Sequence, residues 1–233
     1  MFHIHHFESI DSTNTYAKKN ISDFNHYDVI WADYQTHGRG RRDHQWMAPK
    51  QAHVMASIII KEAIEANCIQ QLTQVCAVSI WQLCQSQGIK AKIKWPNDIY
   101  VGDKKLVGIL IEAVFEKELQ GIVIGTGINV KEEGLPSTAT CLQSLGSSLD
   151  IQETLESYLH YFNENYQLFK TGKYEQLLNI ANEHAYLRNK TVYLEGYGNV
   201  EIGNLLEDGR IEINQGNQTH YIHVNEFTLA RKC

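Results

Sequence analysis

Alternating hydrophobic and polar residues run through the first part of the chain and predict a set of short strands. Strand-like runs of this kind cover residues 2–7, 29–35, 54–60 and 91–95. Two longer runs at 105–115 and 120–130 are separated only by a polar tip, so they predict a β-hairpin. A sheet with several neighbouring strands is therefore expected.

Other segments change to helical periodicity. Residues 13–20 follow Asp11 and Ser12, either of which is a good helix N-cap. Apolar residues recur every three or four positions across 69–87 and again across 150–185. The pattern therefore predicts helices interspersed with the strands.

The texture of the sequence changes near residue 190, where four or five short strands alternate with Gly, Asn and Asp turns. Such a pattern is typical of a small β-barrel. The fold class expected is α+β: a domain of a mixed sheet and helices at 1–185, followed by a small barrel at 186–233.

Composition restricts the classes of partner. The 233 residues carry a net charge of −6, whereas nucleic-acid-binding domains are usually basic. The longest apolar run, at 54–60, is far too short to cross a bilayer, and the N-terminus lacks the pattern of a secretory signal. The five cysteines form neither a CxxC pair nor a disulfide framework, which favours reduced thiols in the cytoplasm.

Histidines near the N-terminus raise the question of a metal site. In a strand, His3 and His5 share one face and His6 lies on the other. The sequence shows no Cys or carboxylate cluster nearby to complete a site. The expectation is therefore that these histidines are not metal ligands.

The stretch GRGRRDHQW at 38–46 suggests a binding site for a small anion. Glycine lets the backbone approach a ligand closely, and the arginine guanidinium matches phosphate or carboxylate oxygens. The stretch is not a phosphate-binding loop of the GxxxxGK[ST] type. Single-stranded nucleic-acid binding is the competing interpretation of such a string.

Two further stretches carry polar groups among strand residues. KWPNDIYVGDKKLVGILIE at 94–112 contains Lys105, whose charge could neutralise an anion, and Gly108, which allows a close approach by a ligand or another backbone. GTGINV at 125–130 lacks the third glycine of a dinucleotide-binding fingerprint and lies in a hairpin, so a Rossmann interpretation is disfavoured.

Five motifs taken together, in order and spacing, resemble the biotin–protein ligase family. They are DSTN at 11–14, YQTHGRGRR at 34–42, KWPNDIY at 94–100, KKLVGILIE at 104–112 and GTGINV at 125–130. The resemblance implies a class II synthetase-like catalytic domain with a C-terminal SH3-like barrel. The chain begins directly with the catalytic domain, so we expect a ligase without the DNA-binding domain and repressor function of some relatives.

The resemblance also implies a reaction in two steps. Biotin and MgATP give biotinyl-5′-AMP and pyrophosphate, and the biotinyl group then passes to a lysine of a biotin carboxyl carrier protein of acetyl-CoA carboxylase. ATP, biotin and Mg²⁺ are thus expected, and DNA and membranes are not. A homodimer is possible for this family.

Roles for individual residues follow from the resemblance. The positions expected to bind biotin or the adenylate are Ser12, Thr13, Asn14, Gln35, Gly38, Arg39, Gly40, Arg41, Trp46, Lys105, Gly108 and Asn129. Lys105 and Arg41 are expected to act on the carboxylate and phosphate, Asp98 to assist the incoming amine or the metal, and Asn129 to lie near the metal. Ala139 and Thr140 are expected beside the adenine.

The sequence departs from the family pattern in the anion-binding loop. Asp43 and His44 stand where the family usually has Gly-Arg, which puts the part of His44 in phosphate binding in question. Three alternatives stay open. They are a lipoate–protein ligase of the same fold, a non-enzymatic RNA-binding module, and a homologue that binds biotin without catalysis, which the intact Arg41 and Lys105 oppose.

Overall fold

A computed structural model describes residues 1–41 and 44–223 of the chain. Four helices are α1 (Thr13–Lys19), α2 (Leu72–Ser86), α3 (Ile151–Lys170) and α4 (Tyr174–Glu183). The strands are β1 (His3–Phe7), β2 (Asp28–Ala32), β3 (His53–Ile60), β4 (Lys92–Lys94), β5 (Asp98–Val101), β6 (Lys104–Phe115), β7 (Leu119–Asn129), β8 (Thr191–Leu194), β9 (Gly198–Leu205), β10 (Ile211–Gln215) and β11 (Gln218–Ile222).

Seven strands form a mixed sheet in the order β1-β2-β3-β7-β6-β5-β4. Only β1 and β2 are parallel, and every other neighbouring pair is antiparallel. The predicted hairpin is confirmed as β6 and β7. Strand β3 lies between β2 and β7 and is buried along its whole length, as its apolar sequence predicts.

The two faces of this sheet are covered by different helices. Ile58 and Ile60 of β3 belong to the larger core, which includes residues of α2, α3 and α4. Ile59, one position along, packs with Ala17 of α1 and Val123 of β7 on the opposite face. The two-residue period of a strand thus divides one apolar run between two layers. This is the expected mixed sheet flanked by helices.

The structure shows where each predicted helix begins and ends. Ser12 is the N-cap of α1, and its side chain accepts a hydrogen bond from the Thr15 amide. The predicted helix at 69–87 begins at Leu72, after a 3₁₀ segment at Ala66–Gln71. The helical stretch at 150–185 is two helices, since the chain turns between α3 and α4 at Gly172, whose φ is +72°.

Strand β2 ends at Ala32, earlier than predicted. The backbone amide of Asp33 donates to Phe7 O, and the chain then bends, so Gln35 lies beyond the strand in an isolated bridge with Ile10. This bend brings Gln35 close to the start of α1.

The four C-terminal strands form a separate antiparallel sheet in the order β11-β10-β9-β8. Trp95, from the turn after β4, packs with the apolar residues of this second sheet. Asn182 of α4 also exchanges hydrogen bonds with the Leu205 backbone at 2.8 and 3.0 Å. Closure of these strands into an SH3-like barrel and the division at residue 185 remain predictions, and residues 224–233 lie outside the described range.

No helix in the two described ranges combines the length and apolar character needed to cross a bilayer. Cys76 and Cys84 lie buried on α2, in agreement with the helical periodicity. Burial raises the pKa of both thiols to about 12, so they stay protonated and act as small apolar groups.

Candidate active site

A cavity of about 310 Å³ lies on the α1 side of the seven-stranded sheet, bounded by α1, the glycine-arginine loop and strands β3, β5, β6 and β7. Most of the residues selected from the sequence line it. They are Ser12, Thr13, Asn14, Gln35, Arg39, Gly40, Arg41, Trp46, Asp98, Lys105 and Gly108. Segments almost a hundred residues apart in the chain therefore form one site.

The first turn of α1 forms a polar corner of the cavity. Gln35 Oε1 accepts hydrogen bonds from the Thr13 backbone amide at 2.7 Å and from Thr13 Oγ1 at 3.1 Å. Ser12, Thr13 and Asn14 are all buried. Polar side chains of Ser12, Thr13, Asn14 and Gln35 line this part of the cavity, so the corner suits the polar end of a small ligand.

Asn14 is fixed by three partners on the sheet. Its Nδ2 donates to Glu112 Oε2 at 2.9 Å and to the Leu110 carbonyl at 3.2 Å, and its Oδ1 accepts from Ser57 Oγ at 2.6 Å. A side chain at Gly125 would overlap Asn14 Oδ1. Glycine at position 125 is therefore what allows Asn14 to lie against the sheet.

Glu112 is a site residue that the sequence analysis did not select, although it ends the KKLVGILIE motif. Its Oε1 lies 2.6 Å from Lys18 Nζ and 3.3 Å from Arg39 Nη1. Burial alone would raise the pKa of this carboxyl. The hydrogen bonds from Lys18 and Asn14 outweigh burial and hold the pKa below its ordinary value. Glu112 is thus the shared anionic partner of Lys18 and Arg39.

The described part of the glycine-arginine loop folds back on itself. Arg39 and Gln45 form an antiparallel bridge, and the Trp46 amide donates to the Gly38 carbonyl at 2.9 Å. This short hairpin carries Arg39, Arg41 and Trp46 into the cavity lining. Arg42 and Asp43 lie outside the described residues.

Trp46 reaches across the loop to the sheet. Its ring lies so close to Gly127 and Gly108 that a side chain at either position would overlap it or press on it. The close approach predicted at Gly108 is therefore made by the indole of Trp46. Glycines at paired positions of β6 and β7 leave a flat floor on which this ring rests.

Lys105 and Asp98 form the charged pair of the site. Lys105 Nζ lies 2.7 Å from Asp98 Oδ1 and 5.7 Å from the centre of the Trp46 ring. Apart from this ion pair, Asp98 Oδ1 has no polar partner in the described ranges. Lys105 therefore supplies the charge that balances this buried oxygen.

Arg41 is oriented by Asn97, which the sequence analysis did not assign a role. Arg41 Nη1 donates to Asn97 Oδ1 at 3.0 Å, and Asn97 Nδ2 donates to the Ile109 carbonyl at 3.0 Å. An amide that bonds to the sheet backbone thus sets the position of the guanidinium beside the cavity.

Four of the predicted residues do not line this cavity. Gly38 borders a neighbouring depression beside Met47. Asn129 is buried, and its amide nitrogen donates to the backbone carbonyls of Lys105 and Thr140. Thr140 and Ala139 pair with the backbone of Lys105. Asn129 and the loop at 138–140 therefore support the strand that carries Lys105, and their adenine and metal roles remain predictions.

A comparison with protein families identifies the fold and site. Residues 6–129, more than half of the chain, match the Biotin/lipoate A/B protein ligase family. The chain belongs to this family. The matched residues include the start of α1, the glycine-arginine loop, Asp98 and Lys105, so the family match covers the cavity described above.

Individual relatives of this ligase family agree with the match. The chain is 35% identical over 152 residues to the bifunctional ligase/repressor BirA of Bacillus subtilis, covering 61% of this chain and 47% of that protein. It is 34% identical over 157 residues to the Escherichia coli protein of the same name, covering 64% and 49%. The chain thus spans about half the length of the curated relatives it matches.

A solved structure of the family covers nearly the whole chain. The biotin protein ligase of Aquifex aeolicus, solved in complex with biotin and ATP, superposes with a TM-score of 0.85. The identity is 27%, over 98% of this chain and 99% of that one. The similarity includes the second, four-stranded sheet as well as the ligase domain.

The departure from the ligase family pattern falls at the tip of the glycine-arginine loop. His44 lines the cavity, and its backbone amide donates to the Arg41 carbonyl at 3.1 Å. Its carbonyl accepts from the Gly40 amide at 2.6 Å. The backbone of His44 therefore closes the loop, whatever its imidazole contributes to phosphate binding.

Proposed function

We propose that this chain is an ATP-dependent biotin–protein ligase. The observation that carries the proposal is the composition of one cavity: a helix start rich in hydrogen-bonding groups together with Arg39, Arg41 and Lys105. Such a cavity can hold a neutral polar ring and two anions together. The similarity to a ligase solved with biotin and ATP supports the same assignment.

The first step joins a carboxylate to the α-phosphate of ATP. Ser12, Thr13, Asn14 and Gln35 bind the ureido ring of biotin, which positions its carboxylate toward the cationic side. Lys105 leaves Asp98 and binds the biotin carboxylate and the α-phosphate of ATP. Its charge offsets the repulsion between these two anions. The carboxylate oxygen then attacks phosphorus, the bond to pyrophosphate breaks, and biotinyl-5′-AMP remains bound.

The intermediate is a mixed anhydride, which water would hydrolyse. Arg39 leaves Glu112 and binds the adenylate phosphate. This new contact draws the glycine-arginine loop over the ligand. Trp46 on its glycine floor closes the apolar side of the cavity. Exclusion of water in this way lengthens the life of the adenylate until an acceptor arrives.

The second step transfers the biotinyl group to the acceptor. Asp98 accepts a proton from the incoming lysine amine, which then attacks the acyl carbon and displaces AMP. The acceptor we propose is the biotin carboxyl carrier protein of acetyl-CoA carboxylase. A homodimer, closure of the second sheet as an SH3-like barrel and a cytoplasmic location belong to the same proposal.

Magnesium enters with ATP as part of the substrate. Asp98 is the single carboxylate among the described residues of the lining. Mg²⁺ commonly keeps several waters and binds substrate phosphates with one or two protein carboxylates, so one carboxylate is compatible with a MgATP complex. Asn129 lies behind the lining, where it supports Lys105.

The experiment that tests this function is ATP–pyrophosphate exchange measured with biotin and, in parallel, with lipoate. The family includes both kinds of ligase, so the second acid is the necessary comparison. We expect exchange with biotin only. Lys105→Ala should lower it at least about 100-fold, the scale at which a group that stabilises developing charge contributes.

Lys104→Ala is the matched control, because Lys104 is exposed at the start of the same strand. It should keep the exchange rate within about twofold. Exchange supported by lipoate alone would refute the biotin assignment. Equal loss of exchange in the two lysine variants would refute the role of Lys105.

A further inference from the structure

A second cluster of polar side chains lies on β1 and β2, away from the cavity. His3 and His5 share one face of β1, and Asp28 is the register partner of His3 on the parallel strand β2. His3 Nδ1 lies 3.3 Å from Asp28 Oδ1, and His5 Nε2 lies 3.4 Å from Asp28 Oδ2. The expectation that no carboxylate accompanies these histidines was wrong, because Asp28 is distant in sequence and adjacent in the sheet.

The separations in this cluster match those around a small metal ion. One ligand atom from each residue lies within 4.8 Å of the other two. Ligands at about 2.0–2.1 Å from a tetrahedral ion are about 3.3 Å apart. Each histidine nitrogen lies at about this separation from one Asp28 oxygen, His3 from Oδ1 and His5 from Oδ2. Three protein ligands of this kind leave a fourth position for water.

The environment of the three groups favours a ligand over simple pairing. His5 Nε2 is buried and makes no hydrogen bond with any residue in the described parts of the chain. Asp28 is almost completely buried and is oriented by the Asn25 amide, which donates to its Oδ2 at 2.8 Å. The His5 ring is held edge-on against Phe24, with centroids 5.2 Å apart.

His3 supplies the route by which an ion enters. Its side chain is 73% exposed, against 5% for Asp28, so the cluster opens to solvent at His3. One exposed ligand beside two less exposed ones forms a site that can load from solution. Backbone hydrogen bonds hold the two strands in register, so no rearrangement of the sheet is needed.

We propose that His3, His5 and Asp28 bind a divalent transition-metal cation such as Zn²⁺. Two imidazole nitrogens and one carboxylate oxygen suit Zn²⁺, Co²⁺ or Ni²⁺, whereas Mg²⁺ and Ca²⁺ prefer oxygen ligands alone. None of the three residues lines the ligase cavity. The bound ion would link the edge strand β1 to β2 and stabilise that edge of the sheet.

The test uses the full chain without an affinity tag, stripped of metal by a chelator and titrated with Co²⁺ and Zn²⁺. We expect one high-affinity ion per chain, with the visible absorption of tetrahedral Co²⁺ and no thiolate charge-transfer band. Zn²⁺ at a hundredfold excess over its Kd should raise the Tm by about 5 °C or more.

Matched variants separate this site from other ligands. His3→Ala changes an exposed side chain and should abolish the Co²⁺ spectrum and the Tm shift without unfolding the chain. Asp28→Asn should do the same. His6→Ala is the control, because His6 lies on the opposite face and hydrogen-bonds Asp33 at 2.8 Å.

The proposal would be overturned if the wild-type chain bound no metal, or if binding survived in His3→Ala. Loss of binding in His6→Ala, or a thiolate band in the spectrum, would overturn it as well. None of these measurements depends on biotin or ATP. Their outcome is therefore independent of the proposed ligase function.

Discussion

Lys105 Nζ and Asp98 Oδ1 lie 2.7 Å apart at the edge of the cavity, on neighbouring antiparallel strands. In the proposed mechanism, a substrate anion that attracts Lys105 releases the Asp98 carboxylate, which then accepts a proton from the acceptor amine. On that proposal, one ion pair links binding of the first substrates to activation of the last.

This relationship predicts different effects of Asp98→Asn on the two steps. Pyrophosphate exchange should stay within about threefold of wild type, because Lys105 remains and the amide that replaces the carboxylate keeps one oxygen for the Mg²⁺ of MgATP. Transfer of biotin to an acceptor lysine should fall at least about 100-fold, the usual scale for loss of a general base. Single-turnover transfer from preformed adenylate measures the second step directly, and equal loss in both assays would contradict the assignment.

The contact between Trp46 and Gly127 predicts that bulk on the floor of the cavity impairs binding. Gly127→Ala places a methyl group where the indole lies, so Trp46 must move. Overpacking of this kind costs about 1–3 kcal/mol. We expect the Kd for biotin, measured by calorimetry, to rise at least about tenfold.

Gly121→Ala is the control for that measurement. It lies on the same strand, and its added methyl would meet the flexible end of Ile21 at 3.1 Å, outside the cavity. Its affinity for biotin should match that of the wild type. Equal losses in the two variants would mean that strand β7, and not the position of Trp46, controls binding.

The Glu112 cluster predicts an acid-sensitive contribution to stability. The pKa of Glu112 in the folded chain lies below its ordinary value of 4.5, so the charged form favours folding. Its contribution, about 1 kcal/mol for a partly exposed network, is present above pH 4.5 and is lost as the pH falls through the folded-state pKa.

Glu112→Gln should therefore lower the free energy of unfolding at pH 7. In acid, the free energy of unfolding of the variant should approach that of the wild type. Urea denaturation at a series of pH values checks this. A constant difference between the two proteins at every pH would show that the charge of Glu112 is not responsible.

His53 predicts a second pH effect, in a higher window. Burial lowers its pKa to about 4, and its Nδ1 accepts a hydrogen bond from the Val130 amide at 3.2 Å. The unfolded chain binds a proton below pH 6.5 and the folded chain does not until about pH 4. As the pH is lowered from 6.5 to 4, the free energy of unfolding should therefore fall by up to about 3 kcal/mol.

His53→Asn keeps an acceptor at the position of Nδ1 and removes the titrating group. We expect a flatter dependence of stability on pH between 6.5 and 4 than in the wild type. The measurement is the midpoint of urea unfolding across that range, and parallel curves for the two proteins would rule out His53 as the source.

Local periodicity and capping are visible in the sequence because they depend on residues a few positions apart. The apolar run of β3, the hairpin of β6 and β7, and Ser12 as the cap of α1 follow from such neighbours. The end of β2 could not be read from the sequence, because it depends on where the neighbouring strand β1 ends. The Asp33 amide makes the last bond between the two strands, to the Phe7 carbonyl.

Some site residues could likewise be recognised from the sequence, and others only from the structure. Arg41 and Lys105 stand out in the sequence because guanidinium and ammonium groups within glycine-rich or strand motifs indicate anion binding. Glu112 and Asn97 carry no such signal, since their functions consist of holding Arg39 and Arg41 in place. Only a folded chain shows which cation each of them contacts.

The sequence by itself determined the order of strands and helices, the presence of an anion-binding loop and the resemblance to biotin–protein ligases. Tertiary structure decided that Trp46 rests on Gly127, that Asn14 bonds to Glu112 and that Asp28 joins His3 and His5. These contacts depend on the register and order of strands far apart in the chain. The register is set by packing of the whole sheet, and no local pattern contains it.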